Sequence, residues 1–173
     1  MSGAVMAASP RGGAARAGGR QAASASRWPA DVFVVGGSLT GFFWLTQRAI
    51  AEMASRYGGH VVTVSATLAE VTDPGTPAAL AALINGGLAA ATRSLAVEYA
   101  SLGIRVNTVS PGVIQSPVHP ADGANGPGRL PPLGRVGQVS DVVDGVLFLE
   151  SSPYITGEIL HIDGDPNRQT AGL

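Results

Sequence analysis

The chain has 173 residues, of which 45% are apolar and 13% are charged, with a formal net charge of −1 and no cysteine. This balance is typical of one packed globular domain, and the lack of cysteine excludes disulfides and thiolate chemistry. Neither the charge nor any apolar run indicates nucleic acid or a membrane as partner, and no secretory signal stands at the start. The cytoplasm is therefore the expected location.

The basic residues exclude a class of mechanism. All 11 are arginine, and the chain contains no lysine. Arginine stays charged and cannot serve as a tunable proton donor. Reactions that need a lysine ammonium or a lysine Schiff base are therefore excluded.

Residues 1–30 differ in composition from the remainder of the chain. They are rich in Ala, Gly, Ser and Arg, with no acidic residue and no sustained apolar periodicity. Such composition predicts a disordered low-complexity tail before a domain at 31–173. A transit peptide would share it, so that alternative stays open.

The predicted elements of the domain alternate between strands and helices. Apolar and β-branched runs favour strands at 32–35, 60–65, 104–109 and 157–162. Helical periodicity favours helices at 39–57 and 78–102, and a third that Ser140 would cap. This alternation predicts an α/β domain with a parallel sheet.

Apolar residues recur at helical spacing along the two longer helices. Gly86 and Gly87 interrupt the second helix at a cost in helix propensity, which close approach of another backbone would explain. The apolar positions are Phe42, Leu45, Ala49, Ile50 and Met53 on the first helix. On the second they are Leu80, Leu83, Ile84, Leu88, Ala91, Leu95 and Tyr99, which mark its predicted buried stripe.

Several motifs in the second half occur in a characteristic order. They are Thr92-Arg93-Ser94-Leu95-Ala96, Gly103-Ile104-Arg105-Val106-Asn107, Ser110-Pro111-Gly112-Val113-Ile114, Pro132-Leu133-Gly134-Arg135-Val136-Gly137, Tyr154-Ile155-Thr156-Gly157 and His161-Ile162-Asp163-Gly164. Together they resemble the short-chain dehydrogenase/reductase family. The resemblance extends weakly back to about residue 38. It implies the C-terminal half of a Rossmann-like, doubly wound fold, truncated at its N-terminus.

The resemblance also implies a chemistry of hydride transfer between NAD or NADP and a carbonyl or alcohol. A tyrosine moves the proton, a lysine one helical turn later lowers the pKa of that tyrosine, and a serine and an asparagine assist. The corresponding positions here are Ala81 for the tyrosine, Asn85 for the lysine, Ala66 for the serine and Ser38 for the asparagine. All four groups are therefore altered, and no catalytic residue is assigned.

Asn85 has two interpretations. A divergent branch of the family has Lys-Gly-Gly-Leu, without the tyrosine, where this chain has Asn85-Gly86-Gly87-Leu88. An asparagine amide would still bind the cofactor ribose by hydrogen bonds. Alternatively, Asn85 is a solvated helix residue with no role in binding.

The positions that contact the nicotinamide in this family are better matched in this chain than the four catalytic positions. The matching positions are Asn85, Pro111, Gly112, Ile114 and Ser116, where the alternative is a turn kept for folding alone. The glycine-rich pyrophosphate turn has no counterpart before residue 31. Residues 36–41, Gly-Gly-Ser-Leu-Thr-Gly, match such a turn only weakly, and no histidine spacing indicates a metal site.

Three functional hypotheses follow. The first is an oxidoreductase-family protein with impaired or no activity. The second is a non-catalytic module that forms homo-oligomers, or hetero-oligomers with related chains, through segments 39–57, 78–102 and 140–162. The third is a gene remnant.

Overall fold

A computed structural model describes residues 36–55, 58–67, 79–116 and 131–165. The predicted tail and the strand predicted at 32–35 lie outside these residues. The elements are a π-helical turn at Gly36–Thr40, α1 at Gly41–Ala54, β1 at Gly59–Val64, α2 at Ala79–Tyr99 with a 3-10 turn at Ala100–Leu102, β2 at Ile104–Pro111, α3 at Val139–Ser151 and β3 at Ile159–Ile162.

The described strands form one parallel sheet with β2 in the centre. β1 pairs with β2 from Gly59↔Ile104 to Val64↔Val109. β3 pairs with the end of β2, from Thr108↔Ile159 to Pro111↔Ile162. The predicted α/β class with a parallel sheet is thereby confirmed.

β2 is the most deeply buried strand because helices cover both of its faces. On one face, Ile104 and Val106 pack with Ile50 of α1 and Ala96 of α2 in a common apolar cluster. The other face lies under α3, whose Leu149 is fully buried. This two-sided cover explains why the sequence of β2 is apolar or β-branched at most positions.

The buried stripe of α2 differs in part from the predicted one. Ile84, Leu88, Thr92 and Ala96 follow each other at intervals of four residues on the buried face. Leu83 was expected to be buried but is 63% exposed, because it lies beside this stripe and points away from the sheet. Leu45, one of the apolar positions at helical spacing in α1, is 55% exposed.

The paired glycines of α2 are not explained by close backbone approach. Among the described residues, a Cβ added at Gly86 would meet nothing within 4 Å. One added at Gly87 would meet only the Leu39 side chain, at 3.8 Å. The expectation of a crowded contact here is therefore wrong for the part of the chain that the structure describes.

Two predicted boundaries also change. α3 begins at Val139, one residue before the predicted cap Ser140, and the backbone N–H of Gln138 donates to the carboxylate of Asp141 at 2.7 Å. β3 begins at Ile159 instead of 157, because Gly157 has a φ of 77°, a left-handed conformation that interrupts an extended strand. Both changes leave the order of elements intact.

One helix bears on the expected absence of a membrane partner. The segment Ala79–Leu102 has 24 residues and contains an 18-residue stretch with a mean hydropathy of 1.4, enough in length and composition to cross a membrane. A core helix of a water-soluble domain meets the same criterion, and α2 packs against β2 through Thr92 and Ala96. The absence of a membrane partner stays a prediction.

Candidate functional site

The direction of α2 places its first turns at the carboxyl edge of the sheet. The Thr92 and Thr108 hydroxyls lie 2.7 Å apart, whereas Ala96, later in the helix, packs against Val106, earlier in the strand. α2 therefore runs antiparallel to β2, as a crossover between parallel strands requires. Asn85 precedes Thr92 by about two turns, so it lies beyond the end of β2. Ligands of open α/β sheets bind at this edge.

Ala81 and Asn85 lie one turn apart on the same face of α2. The Asn85 amide donates from Nδ2 to the Ala81 carbonyl oxygen at 2.9 Å. Its N–H is therefore used within the helix, while Oδ1 is an acceptor that suits a ribose hydroxyl. The pair of positions offers neither a phenol nor an ammonium group. This geometry is consistent with both interpretations of Asn85.

Ala66 and Ser38 complete the predicted catalytic positions. Ala66 is the second residue after β1 and follows Ser65, whose N–H donates to the Val109 carbonyl at 2.9 Å. Ala66 is thus at the same edge of the sheet. Ser38 lies in the π-helical turn, which packs against α2 through Leu39. Because Gly36–Thr40 is helical and leads directly into α1, it does not form the open loop that a phosphate-binding glycine turn requires.

Gly112 has a structural reason to be glycine. Its N–H donates to the Ile162 carbonyl at 3.0 Å. An added Cβ would lie 2.6 Å from Cβ and 2.8 Å from Cα of Asp163, so any side chain would force the turn away from the end of β3. Pro111, the last residue of β2, leads into this turn. The interpretation of Pro111 and Gly112 as a turn kept for folding therefore has direct support.

Ile114 lies in the loop that follows the Pro111-Gly112 turn. It forms an isolated parallel bridge with Gly137, made by the bonds from Gln115 N to Gly137 O and from Gly137 N to Val113 O. In a bridge of this kind, the N–H and C=O of Ile114 itself point away from Gly137. They suit a planar amide such as a carboxamide. Ser116 is the last described residue of this loop and has an interaction within the structure.

Ser110 was not among the predicted site residues. Its side chain is fully buried, and its Oγ has no hydrogen-bond partner among the described residues. Alternation along β2 places Ser110 on the same face as Thr108, towards α2. A buried hydroxyl without a partner is unusual in a folded protein and often marks a functional position or a bound group. No local pattern singles out Ser110 beyond its place before Pro111.

A cavity of about 180 Å³ lies beside this edge, on the side of α3. Among its lining residues, Arg135 binds Asp141 through two hydrogen bonds of 2.8 and 3.1 Å. These bonds, with the Gln138 N–H, lower the pKa of Asp141 to about 2. Asp141 is therefore a carboxylate at neutral pH and cannot act as a proton donor. The cavity is smaller than the roughly 300 Å³ at which drug-sized ligand sites begin.

Comparison with known proteins fits this arrangement. Residues 14–164 match a family model described as enoyl-(acyl carrier protein) reductase. The chain belongs to the short-chain dehydrogenase/reductase family. This match begins inside the predicted tail, of which the structure describes nothing, so the domain boundary stays a prediction.

Individual relatives agree. Carbonyl reductase family member 4 of Danio rerio is 38% identical over 127 residues, covering 73% of this chain and 52% of that protein. The 3-oxoacyl-[acyl-carrier-protein] reductase FabG of Thermotoga maritima is 34% identical over 136 residues, covering 76% and 54%. The chain therefore spans about half the length of these curated relatives.

Solved structures share the fold. A short-chain dehydrogenase from Leptospira borgpetersenii with bound NAD+ has a TM-score of 0.69 at 33% identity, covering 78% of this chain and 55% of that one. A short-chain type dehydrogenase/reductase from Mycobacterium ulcerans has a TM-score of 0.71 at 24% identity, covering 79% and 52%. These likenesses confirm the predicted partial Rossmann-like fold.

The residues at this edge fit a nicotinamide cofactor in part. The outward backbone groups of Ile114 and the Asn85 Oδ1 are suitable partners for a carboxamide and a ribose hydroxyl. The unpaired Ser110 hydroxyl adds a buried polar atom nearby. At the positions predicted for the tyrosine and the lysine, Ala81 and Asn85 carry no group that transfers a proton at neutral pH.

Proposed function

We propose that this chain is a short-chain dehydrogenase/reductase-family protein that binds NAD or NADP weakly and does not reduce carbonyl compounds unaided. The observation that carries the proposal is the helix face of α2, where Ala81 and Asn85 occupy the positions of the proton-transferring tyrosine and its lysine. A bound nicotinamide would supply the hydride. Nothing on this face would supply the proton, as a phenol does, or stabilise the phenolate that such a donor leaves behind.

The proposed binding of NAD or NADP is weak because few groups of the chain would contact the cofactor. Asn85 would accept a ribose hydroxyl, and the Ile114 backbone would meet the carboxamide. Pro111, Gly112 and Ser116 would shape the adjoining loop. These contacts are fewer than a dinucleotide site normally offers, because no pyrophosphate-binding helix terminus is present among the described residues. We therefore expect a dissociation constant of about 1 mM.

The test combines a cofactor titration with substitutions that add the tyrosine and the lysine. NADH and NADPH are titrated by fluorescence, and consumption of each cofactor with a small ketone is followed for the unmodified protein and for the double variant Ala81→Tyr/Asn85→Lys. Ala81→Phe/Asn85→Met is the matched control, since it adds similar bulk without a proton or a charge. We expect weak saturable binding, no ketone reduction by the unmodified protein or the control, and reduction by the Tyr/Lys variant at least about 100-fold above background.

Two results would contradict the proposal. Ketone reduction by the unmodified protein would show that another group moves the proton. A failure of both cofactors to bind at millimolar concentration would show that these residues form no cofactor-binding site. The second result would favour the interpretation of the Pro111-Gly112 turn as structural only.

A second candidate function is a non-catalytic oligomerising module, favoured by the exposed apolar side chains of the helices. α1 exposes Phe43 at 62% and Trp44 at 69%, and α3 exposes Leu147 at 59% and Phe148 at 52%. Clusters of large exposed apolar side chains are typical of interaction surfaces. They would form contacts with a second copy of this chain or with a related chain.

Dilution experiments distinguish the two functions. Light scattering of the full chain between micromolar and nanomolar concentration would show an oligomer that Trp44→Glu and Leu147→Glu dissociate. Arg48→Glu, on an exposed position of α1, is the control. A compact monomer at every concentration would contradict the oligomerising function and would leave the cofactor proposal untouched.

A further inference from the structure

A cluster of polar side chains lies at the opposite edge of the sheet from the candidate site. It consists of His60 on β1, Arg105 and Asn107 on β2, and Glu150 near the end of α3, and we call it the His60 cluster. The side chain of His60 is only 5% exposed, whereas that of Glu150 is 64% exposed. The cluster joins both strands to the connection between α3 and β3, residues 152–158.

Asn107 determines which atom of the His60 ring carries the proton. The Asn107 Oδ1 accepts from the backbone N–H of Glu158 at 3.0 Å, so its amide orientation is fixed. Its Nδ2 then donates to the Ile155 carbonyl at 3.0 Å and faces His60 Nε2 at 2.9 Å. An amide nitrogen only donates, so Nε2 must present a lone pair.

The remaining partners of His60 agree with this assignment. Arg105 Nη1 lies 3.4 Å from Nε2 and is also only a donor. On the other side of the ring, Nδ1 lies 2.6 Å from Glu150 Oε2, so Nδ1–H donates to a carboxylate. The geometry thus selects the neutral ring with its proton on Nδ1.

The same donors hold the connection between α3 and β3. Arg105 donates from Nη1 to the carbonyls of Leu149, Ser152 and Ile155 at 2.8 to 3.2 Å, and from Nη2 to that of Glu150 at 3.1 Å. Displacement of Arg105 would therefore release several backbone carbonyls of residues 149–155 at once, and displacement of Asn107 would release the Ile155 carbonyl and the Glu158 N–H.

We infer that the His60 cluster is an acid-sensitive latch that fastens residues 152–158 to the sheet. A second proton on the ring would place an N–H at Nε2 against the Asn107 amide and the Arg105 guanidinium, which are both donors. One of these contacts must then break, and either break loosens the connection.

The charges around the ring set the direction of the effect. Burial is the main cause that lowers the pKa of His60, and Arg105 of β2 lowers it further, while the hydrogen bond and charge of Glu150 of α3 oppose both. A lowered pKa means that the unfolded or opened chain binds a proton before the latched form does. Opening is therefore disfavoured above about pH 6.5 and becomes up to about tenfold easier for each pH unit below it, until the latched ring itself titrates.

The first experiment is an NMR titration of the full chain with the histidine rings labelled with ¹⁵N, with His60→Gln used to assign the His60 signal. We expect a neutral ring protonated on Nδ1 at pH 7.5 and a midpoint below 6.5. A ring protonated on Nε2, or a midpoint at or above 6.5, would overturn the inference.

The second experiment measures amide hydrogen exchange of residues 152–158 between pH 7.5 and 5, corrected for intrinsic rates. Protection should fall below about pH 6.5 in the unmodified protein. In Glu150→Gln the fall should begin at the same pH but continue to lower pH, because without the carboxylate the latched ring takes up its proton later. His60→Gln should lose this pH dependence. Equal loss of protection in His60→Gln and the unmodified protein would overturn the latch. If that variant does not fold, Glu150→Gln decides, because a fall that ends at the same pH as in the unmodified protein has the same meaning.

Discussion

The two edges of the sheet differ in how completely their polar groups are bonded. At the amino edge, the guanidinium of Arg105 meets four backbone carbonyls and Asn107 bonds through both ends of its amide. At the carboxyl edge, the Ser110 hydroxyl has no partner among the described residues, and Asn85 bonds to its own helix. The polar groups that join the elements at the amino edge are thus bonded within the chain, whereas those at the proposed cofactor edge are bonded only in part among the described residues.

The largest expected effect on the free energy of unfolding comes from removing the Arg105 hydrogen bonds at the amino edge of the sheet. Arg105→Met keeps most of the apolar stem but removes donors to four carbonyls, some of which are buried. We expect the free energy of unfolding to fall by about 3 kcal/mol or more. Urea denaturation measures it, with Arg48→Met as control, because Arg48 is 80% exposed and its pair with Glu52 should contribute less than about 1 kcal/mol. Similar losses in both variants would show that the Arg105 bonds are not special.

A comparison of two glycines sharpens the contrast at the carboxyl edge. Gly112→Ala would push a Cβ into Asp163 and should destabilise the fold by about 1–3 kcal/mol. Gly86→Ala meets no described atom within 4 Å and should stabilise α2 by about 0.5–1 kcal/mol. Thermal unfolding of both variants measures the difference. A destabilising Gly86→Ala would indicate that a partner chain or an undescribed segment lies against this face of α2.

The smallest expected effect concerns Ser110. Ser110→Ala removes a buried hydroxyl that lacks a partner, so the free energy of unfolding should stay the same or rise by up to about 1 kcal/mol. If the hydroxyl contacts a bound cofactor, the same variant should weaken NADH binding in the fluorescence titration. A clear loss of stability without cofactor would mean that the hydroxyl has a partner within the fold, such as a buried water.

Local sequence patterns determined the class of this protein. The β-branched runs at β1 and β2 and the helical period of α2 give a parallel α/β sheet, since these patterns depend on neighbouring residues only. The lack of lysine excludes the tyrosine–lysine mechanism under any alignment. The motifs from Thr92 onward were sufficient for the family, which the comparisons then confirmed.

Only the tertiary structure decided which groups meet. His60 and Glu150 are separated by 90 positions in the chain, and no periodicity relates them. Thr92 and not Leu83 is buried because Thr108 of a distant strand lies opposite it. Gly112 is constrained by Asp163, which directly follows β3. Such contacts depend on how the elements pack across the sheet, and a local pattern carries no information about that packing.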